Sequence, residues 1–219
     1  EIGSGLVGSE MCIRDRLGGD TVRTEGPMVW TVTIIGEVPK GTAVMRSGAK
    51  VGDVVGVTNY VGYAATGLGA LSYNLVGYDM TKVGHQRPEP QIELGQKLRQ
   101  LGIHSMNDIS DGLGSELNEI ATASNVSIVF EEQAIPLHEE TYELAKHLQT
   151  NPVDYALYGG EDFQLVFTAP KSLLSELEKL AGITLIGEVL SGPPRVQMVT
   201  SDKTIKTVEA KGYNHFHEG

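Results

Sequence analysis

The octapeptide Met106-Asn107-Asp108-Ile109-Ser110-Asp111-Gly112-Leu113 places a short apolar-polar strand, a turn and the entry to a helix side by side. Met106–Ile109 has the length and alternation of a strand, and Gly112 interrupts it. Leu113, Leu117 and Ile120 then recur at helical spacing, predicting a helix that ends near Asn125. The same alternation continues in both directions. Downstream, Val126–Phe130 reads as a strand, Leu144 and Leu148 line a helix before Pro152, and Phe163–Thr168 reads as a strand. Leu173, Leu177 and Leu180 line a helix after Pro170, and Ile183–Val189, Arg195–Thr200 and Thr204–Val208 read as closing strands. Upstream, Pro88 and Pro90 open a helix carrying Leu94, Leu98 and Leu101 on one face. Before it, Gly62, Gly67 and Gly69 surround Leu68, Leu71 and Leu75, a glycine-rich entry into an amphipathic helix whose leucines are its expected buried face. Val54–Thr58 is a short buried strand, Pro39-Lys40-Gly41 is turn chemistry, and β-branched Met28–Val38 reads as a strand. Strands alternating with helices predict an α/β (α+β) fold, a mixed sheet covered by helices, with a domain seam at Pro39–Gly41.

Composition narrows the function classes. A formal net charge of −11 opposes binding to nucleic acid or to an anionic membrane surface, both of which need Lys/Arg patches. No apolar run approaches the roughly 18 to 20 residues of a membrane-spanning helix, so a soluble, cytoplasmic protein is expected. One cysteine, Cys12, excludes a disulfide framework and a Cys-rich zinc site. Residues 1–16 read as non-native. Leu6–Arg16 (LVGSEMCIRDR) has neither helical nor strand period, and back-translated in one frame it matches the end of a transposon-based sequencing adapter. The natural protein is therefore expected to continue upstream of Leu17.

Four groups of residues carry chemistry. In Gly18-Gly19-Asp20-Thr21, paired glycines let backbone N–H groups approach an anion and a neighbouring carboxylate can hold Mg²⁺; the same residues also make an ordinary turn. Asp108 and Ser110, two apart on a strand, share a side, and Ser110 or Asp111 can cap the next helix, whose N-terminus favours anions. That is a metal and phosphate site or, for Ser110 and Asp111, a plain helix cap. Tyr158–Phe163 (YGGEDF) presents Glu161 at a sheet end or forms a solvated acidic turn. Arg46, in Arg46-Ser47-Gly48-Ala49-Lys50, has the planar fork that suits phosphate oxygens, or is a surface arginine. The glycine-rich Walker pattern ending in Gly-Lys-Ser/Thr and the Gly-x-Ser-x-Gly elbow are both absent from the sequence.

Taken in order, Leu17–Val22 (LGGDTV), Arg46–Asp53 (RSGAKVGD), the glycine-rich Thr58–Leu68, Arg87-Pro88-x-Pro90, Asp108–Leu113 (DISDGL), Gly159–Leu165 (GGEDFQL) and Gly212–Phe216 (GYNHF) resemble the thiamine-monophosphate kinases. The resemblance runs from Leu17 to the C-terminus. It implies the fold of the aminoimidazole-ribonucleotide synthetase superfamily, with residues 17–38 closing an N-terminal ATP- and Mg²⁺-binding domain and 39–219 forming the C-terminal domain. It implies ATP-dependent phosphorylation of thiamine monophosphate to thiamine diphosphate, by a homodimer built through the N-terminal domain. Gly19 and Arg46 would contact ATP, and Ser110 would touch the nucleotide. Asp20, Asp108 and Asp111 would ligate Mg²⁺, with Asp108 and Asp111 counted as catalytic. Glu161 and Tyr213 would contact the thiamine moiety. Where the family usually carries Gly, Asp and Ser in the glycine-rich loop, this chain has Asn59, Tyr63 and Ala64, and Asn214 stands for the usual Asp. With the family's N-terminal half missing, the chain is expected to bind Mg·ATP weakly and to catalyse little alone. The alternatives are another ATP-using synthetase of the superfamily and a non-catalytic nucleotide-binding module.

Overall fold

Strand β1 (Val54–Thr58) is buried along its whole length, which fits its apolar, β-branched run and its place between two antiparallel neighbours. The computed structural model describes residues 19–20 and 22–211. Among them follow α1 (Tyr63–Ser72), α2 (Asp79–Gln86), α3 (Ile92–Leu101), β2 (Ser105–Ile109), α4 (Leu113–Ser124) and β3 (Ser127–Glu131). Then come α5 (Glu139–Leu148), α6 (Pro152–Tyr158), β4 (Gln164–Ala169), the single turn α7 (Leu174–Leu177), β5 (Ile183–Leu190), β6 (Arg195–Val199) and β7 (Ile205–Thr207). The seven strands form one sheet in the order β2-β4-β1-β5-β3-β6-β7, antiparallel except for the parallel pair β3–β6. The mixed sheet covered by helices is thus as expected.

Register assigns the two faces. Val55 and Val57 of β1 share one face with Val166 of β4, and α4 and α6 cover it with Leu113, Leu117, Ile120, Val153, Ala156 and Leu157. On the other face Val54, Phe167 and Ala169 meet Leu98 of α3 and Leu177 of α7. The Phe167 ring lies over Gly56: a Cβ there would come within 2.5 Å of its Cζ. Local chemistry sets the helix ends. Asn151 caps α6 by accepting the Val153 N–H at 3.2 Å, with Pro152 at the first helical position. Gly102 and Asn125 end α3 and α4 in the left-handed conformation.

The chain divides between Glu37 and Val38, and the sheet lies wholly in the second unit. In the first unit the expected strand Met28–Val38 does not form among the described residues. Its β-branched and aromatic side chains are exposed, Trp30 at 75% and Ile35 at 78%, because a strand exists only through its ladder and no described segment pairs with it. The leucine face expected in α1 is also corrected. Ala64, Thr66, Gly67 and Ala70 are buried and Leu68 is 50% exposed, since α2 packs closely on the small residues. Helices α2 and α6 went unread in the sequence, and the Leu173–Leu180 helix shrinks to one turn preceded by a 3₁₀ turn.

Phe167→Ala should lower unfolding free energy by about 3–5 kcal/mol, because it empties the smaller core. Urea denaturation should show a lower midpoint at unchanged slope; a midpoint equal to that of the parent would show that this face is not held by Phe167.

Candidate functional site

Three loops from distant parts of the sequence meet at one end of the sheet. Strand β2 delivers Asn107, Asp108 and Ile109; their burial alternates, Asn107 and Ile109 inward and Asp108 exposed. The strand ends there, so strand alternation does not carry over to Ser110. Ser110 and exposed Asp111 form the turn into α4. Neither caps the helix as expected: the N-cap is Gly112, at φ +95° and without a side-chain hydrogen bond. Ser110 and Asp111 are therefore not committed to capping.

The second loop, Gly159–Phe163, lies directly against this turn. The Glu161 N–H donates to the Ser110 carbonyl at 2.8 Å, and the Phe163 N–H to the Ile109 carbonyl at 2.9 Å. Close approach demands glycine at 160, where a Cβ would come 2.1 Å from the Ser110 oxygen. Glu161 (φ +68°) and Phe163 (φ +49°) are non-glycine residues in the left-handed region, held there by these bonds. The result is alternation within a turn: Glu161 is exposed and Asp162 is 5% exposed.

Asp162 reaches the third loop. Its carboxylate accepts the Gly62 N–H at 2.5 Å and the Ala64 N–H at 2.8 Å, with the Tyr63 N–H adding a further bond. It thereby caps α1 from outside the helix. The Gly62, Tyr63 and Ala64 amides of the glycine-rich loop are satisfied by Asp162. Tyr63 packs beside Tyr60 and edge-on to His138, with ring centroids 6.1 Å and 5.2 Å away, and Ala64 is buried. Burial pushes the Asp162 pKa up to about 7, against the pull of the backbone donors.

Arg46 sits in a 3₁₀ turn next to β2. Its Nε donates to Asn107 Oδ1 at 2.9 Å and pairs with Glu119 at 3.1 Å, and both charged side chains are about half exposed. Asn107 in turn donates to Glu116 and to Glu119. Glu116, on the first turn of α4, is buried; its pKa is pushed up to about 7 by burial, and by the charges of Glu119, Asp108 and Asp111, against the Asp111 N–H bond. The structure thus brings Arg46, Asp108, Ser110, Asp111 and Glu161 into one neighbourhood. Gly19 and Asp20 are exposed and belong to the first unit; Tyr213 and the GYNHF ending lie outside the described residues. Sequence reading missed Asp162, Glu116 and Glu119. One signal for Glu116 was present: an acid three residues after Leu113, on the apolar stripe that Leu117 and Ile120 continue.

Residues 50–199 match the model of the family described as AIR synthase related protein, C-terminal domain. The chain is 40% identical over 213 residues to the thiamine-monophosphate kinase of Bacillus subtilis, covering 92% of this chain and 64% of that protein. To the thiamine-monophosphate kinase of Escherichia coli K12 it is 36% identical over 211 residues, covering 91% of this chain and 63% of that protein. It therefore spans a little under two thirds of the length of these relatives. Among solved structures, AaThiL complexed with AMPPCP and TMP superposes with a TM-score of 0.68 at 34% identity, over 79% of this chain and 54% of that one.

Asp162 gives the protein a defined pH dependence. Its folded pKa of about 7 lies well above the ordinary range of an aspartate, so the folded state holds the proton more tightly. The resulting stability is complete below pH about 4 and is lost as pH rises through 7, at up to roughly 1.4 kcal/mol per pH unit. The stability difference between parent and Asp162→Asn should therefore shrink as pH rises over that window. Parallel pH profiles of the two proteins would show that Asp162 does not titrate there.

Proposed function

Because the chain belongs to the AIR synthase related protein family through its C-terminal domain, we propose that it serves the ATP-dependent phosphorylation of thiamine monophosphate to thiamine diphosphate. The observation that carries this reading is the joining of the Asp108–Asp111 turn to the Glu161 turn by the Glu161 N–H to Ser110 carbonyl bond. That bond puts the two acidic motifs resembling the kinase's metal and substrate elements side by side. The AMPPCP and TMP held by AaThiL supply the ligand classes.

The donor set fits Mg²⁺. The ion takes oxygen ligands and is commonly held by one or two carboxylates, with water and substrate phosphates completing its shell. Asp108 and Asp111 are exposed carboxylates at one turn. Among the described residues no three His, Cys, Asp or Glu side chains form a metal cluster by themselves, which leaves the remaining ligands to phosphate and water. In this reading Asp108 and Asp111 would hold Mg²⁺, which when bound neutralises the phosphates and the charge developing between them, and Asp20, in the first unit, is a Mg²⁺ ligand by the sequence resemblance alone. Ser110 contacts the nucleotide, and the sequence resemblance alone gives Gly19, in the first unit, a nucleotide contact. Arg46, kept in place by Asn107 and Glu119, contacts ATP. Glu161 and Tyr213 bind the cationic thiamine end.

The acceptor is a phosphate monoester with a second pKa near 6, so it is a dianion at neutral pH and needs no general base. One of its oxygens bonds to the γ-phosphorus of ATP as the bond from that phosphorus to the β–γ bridging oxygen breaks, and ADP leaves. The task of the protein is to bring two anions together and orient them in line. Its net charge of −11 opposes that encounter unless a cation intervenes. The reading extends to a homodimer acting in the cytoplasm. Among the described residues no helix is long and apolar enough to cross a membrane.

In protein extended to the length of its relatives, thiamine monophosphate and Mg·ATP should yield thiamine diphosphate, detected by chromatography. EDTA should abolish the product, and Asp108→Asn should reduce the rate at least about hundredfold, the scale of losing a metal ligand's electrostatic stabilisation. Undiminished product with Asp108→Asn would remove Asp108 from the metal site. A folded, ATP-binding protein that makes no product would point to a sister synthetase or a non-catalytic module.

A further inference from the structure

Glu116 occupies a place where packing calls for an apolar side chain. It lies on the α4 stripe between Leu113 and Ile120, both fully buried, and is itself 2% exposed. A carboxylate there is costly unless it is well bonded. Its bonds share one direction: all reach the turn that carries Asp108 and Asp111. Oε2 accepts from the Asn107 side-chain amide, the residue before Asp108. Oε1 accepts from the Ser110 hydroxyl at 3.5 Å and from the Asp111 N–H at 3.2 Å. The carboxylate therefore grips the turn on both sides of Asp108 and at the backbone of Asp111. Glu119, one helical turn on, holds the same Asn107 amide at 3.1 Å and pairs with Arg46. Being buried beneath the turn, Glu116 does not share the exposed face of the two aspartates.

We infer that Glu116 is a positioning residue: it holds the Asn107–Asp111 turn in the conformation that directs Asp108 and Asp111 together at Mg²⁺. This rests on the metal-site reading given above. Groups that orient metal ligands from behind typically change metal affinity by about 10- to 100-fold when lost. The amide of Glu116→Gln keeps the shape of the side chain but turns one acceptor into a donor, which faces either the Asn107 amide or the Ser110 and Asp111 donors.

The test compares the parent with Glu116→Gln and Glu116→Asp in three measurements. These are hydrogen exchange of the Asp111 amide, Mg²⁺ affinity by calorimetry, and the Mg²⁺ dependence of turnover against the KM for thiamine monophosphate. Glu116→Gln should speed exchange at Asp111 and weaken Mg²⁺ binding by roughly tenfold or more, with the KM for thiamine monophosphate unchanged. Glu116→Asp, which keeps the charge on a shorter stem, should fall between the two. Unchanged Mg²⁺ affinity in Glu116→Gln overturns the inference, whether exchange is unchanged or accelerated; the accelerated case leaves only a structural role. If the parent binds Mg²⁺ but makes no product, the kinase reading fails while calorimetry still decides the role of Glu116. A parent that binds no Mg²⁺ overturns the inference directly.

Discussion

The buried Asp162 carboxylate is the constraint around which this end of the molecule is assembled. It is anchored between α6 and β4, yet its bonds are to the backbone at the start of α1, about a hundred residues earlier in the chain. A charged or protonated acid this deep is tolerable only if its oxygens are satisfied, and the N-terminus of a helix is a ready source of unpaired N–H groups and positive potential. Once Asp162 is seated, the residues on either side have little freedom. Glu161 is turned outward with its N–H on Ser110, and the Phe163 N–H is placed on Ile109. The glycine-rich loop, the Asp-Ile-Ser-Asp turn and the Gly-Gly-Glu-Asp turn are thus one unit mechanically, although each is short and polar.

The second carboxylate, Glu116, makes the same arrangement from the opposite side of the Asp108–Asp111 turn. Two buried acids, one bonded to a helix start and one to a strand end, frame the exposed aspartates. This is an expensive way to build a loop. Burial and neighbouring negative charge both raise the Glu116 pKa, and Glu161 is kept in a left-handed conformation that its side chain disfavours. Such costs are tolerated where geometry matters more than stability, and the large apolar cores on both faces of the sheet offset them.

The sheet was legible because its strands are short apolar runs set between glycine, proline and polar turns. All seven strands of the second unit were readable to within one residue at each end. Periodicity failed where burial did not follow side-chain size. In α1 the small residues face inward because another helix comes close, so Leu68 is left outside. Met28–Val38 has the composition of a strand, but composition cannot supply a partner. Asp108, Ser110, Asp111 and Glu161 stood out as polar residues beside glycines at turns and Arg46 as a planar fork, but each also had an ordinary structural reading, and their assignment to a site came from the resemblance of the motifs taken in order.

The amino-acid sequence by itself determined the fold class, the net acidity of the chain, and the short motifs that hold the candidate site residues. Those properties are local, set by spacing and residue type along a few turns or strands. The tertiary structure alone decided which motifs meet, that Ser110 and Asp111 are released from capping, that Arg46 is tied to Asn107 and Glu119, and that Asp162 and Glu116 lie behind the site. A hydrogen bond between residues a hundred positions apart leaves no periodicity in the chain, and its partners are named only when the sheet has brought them together.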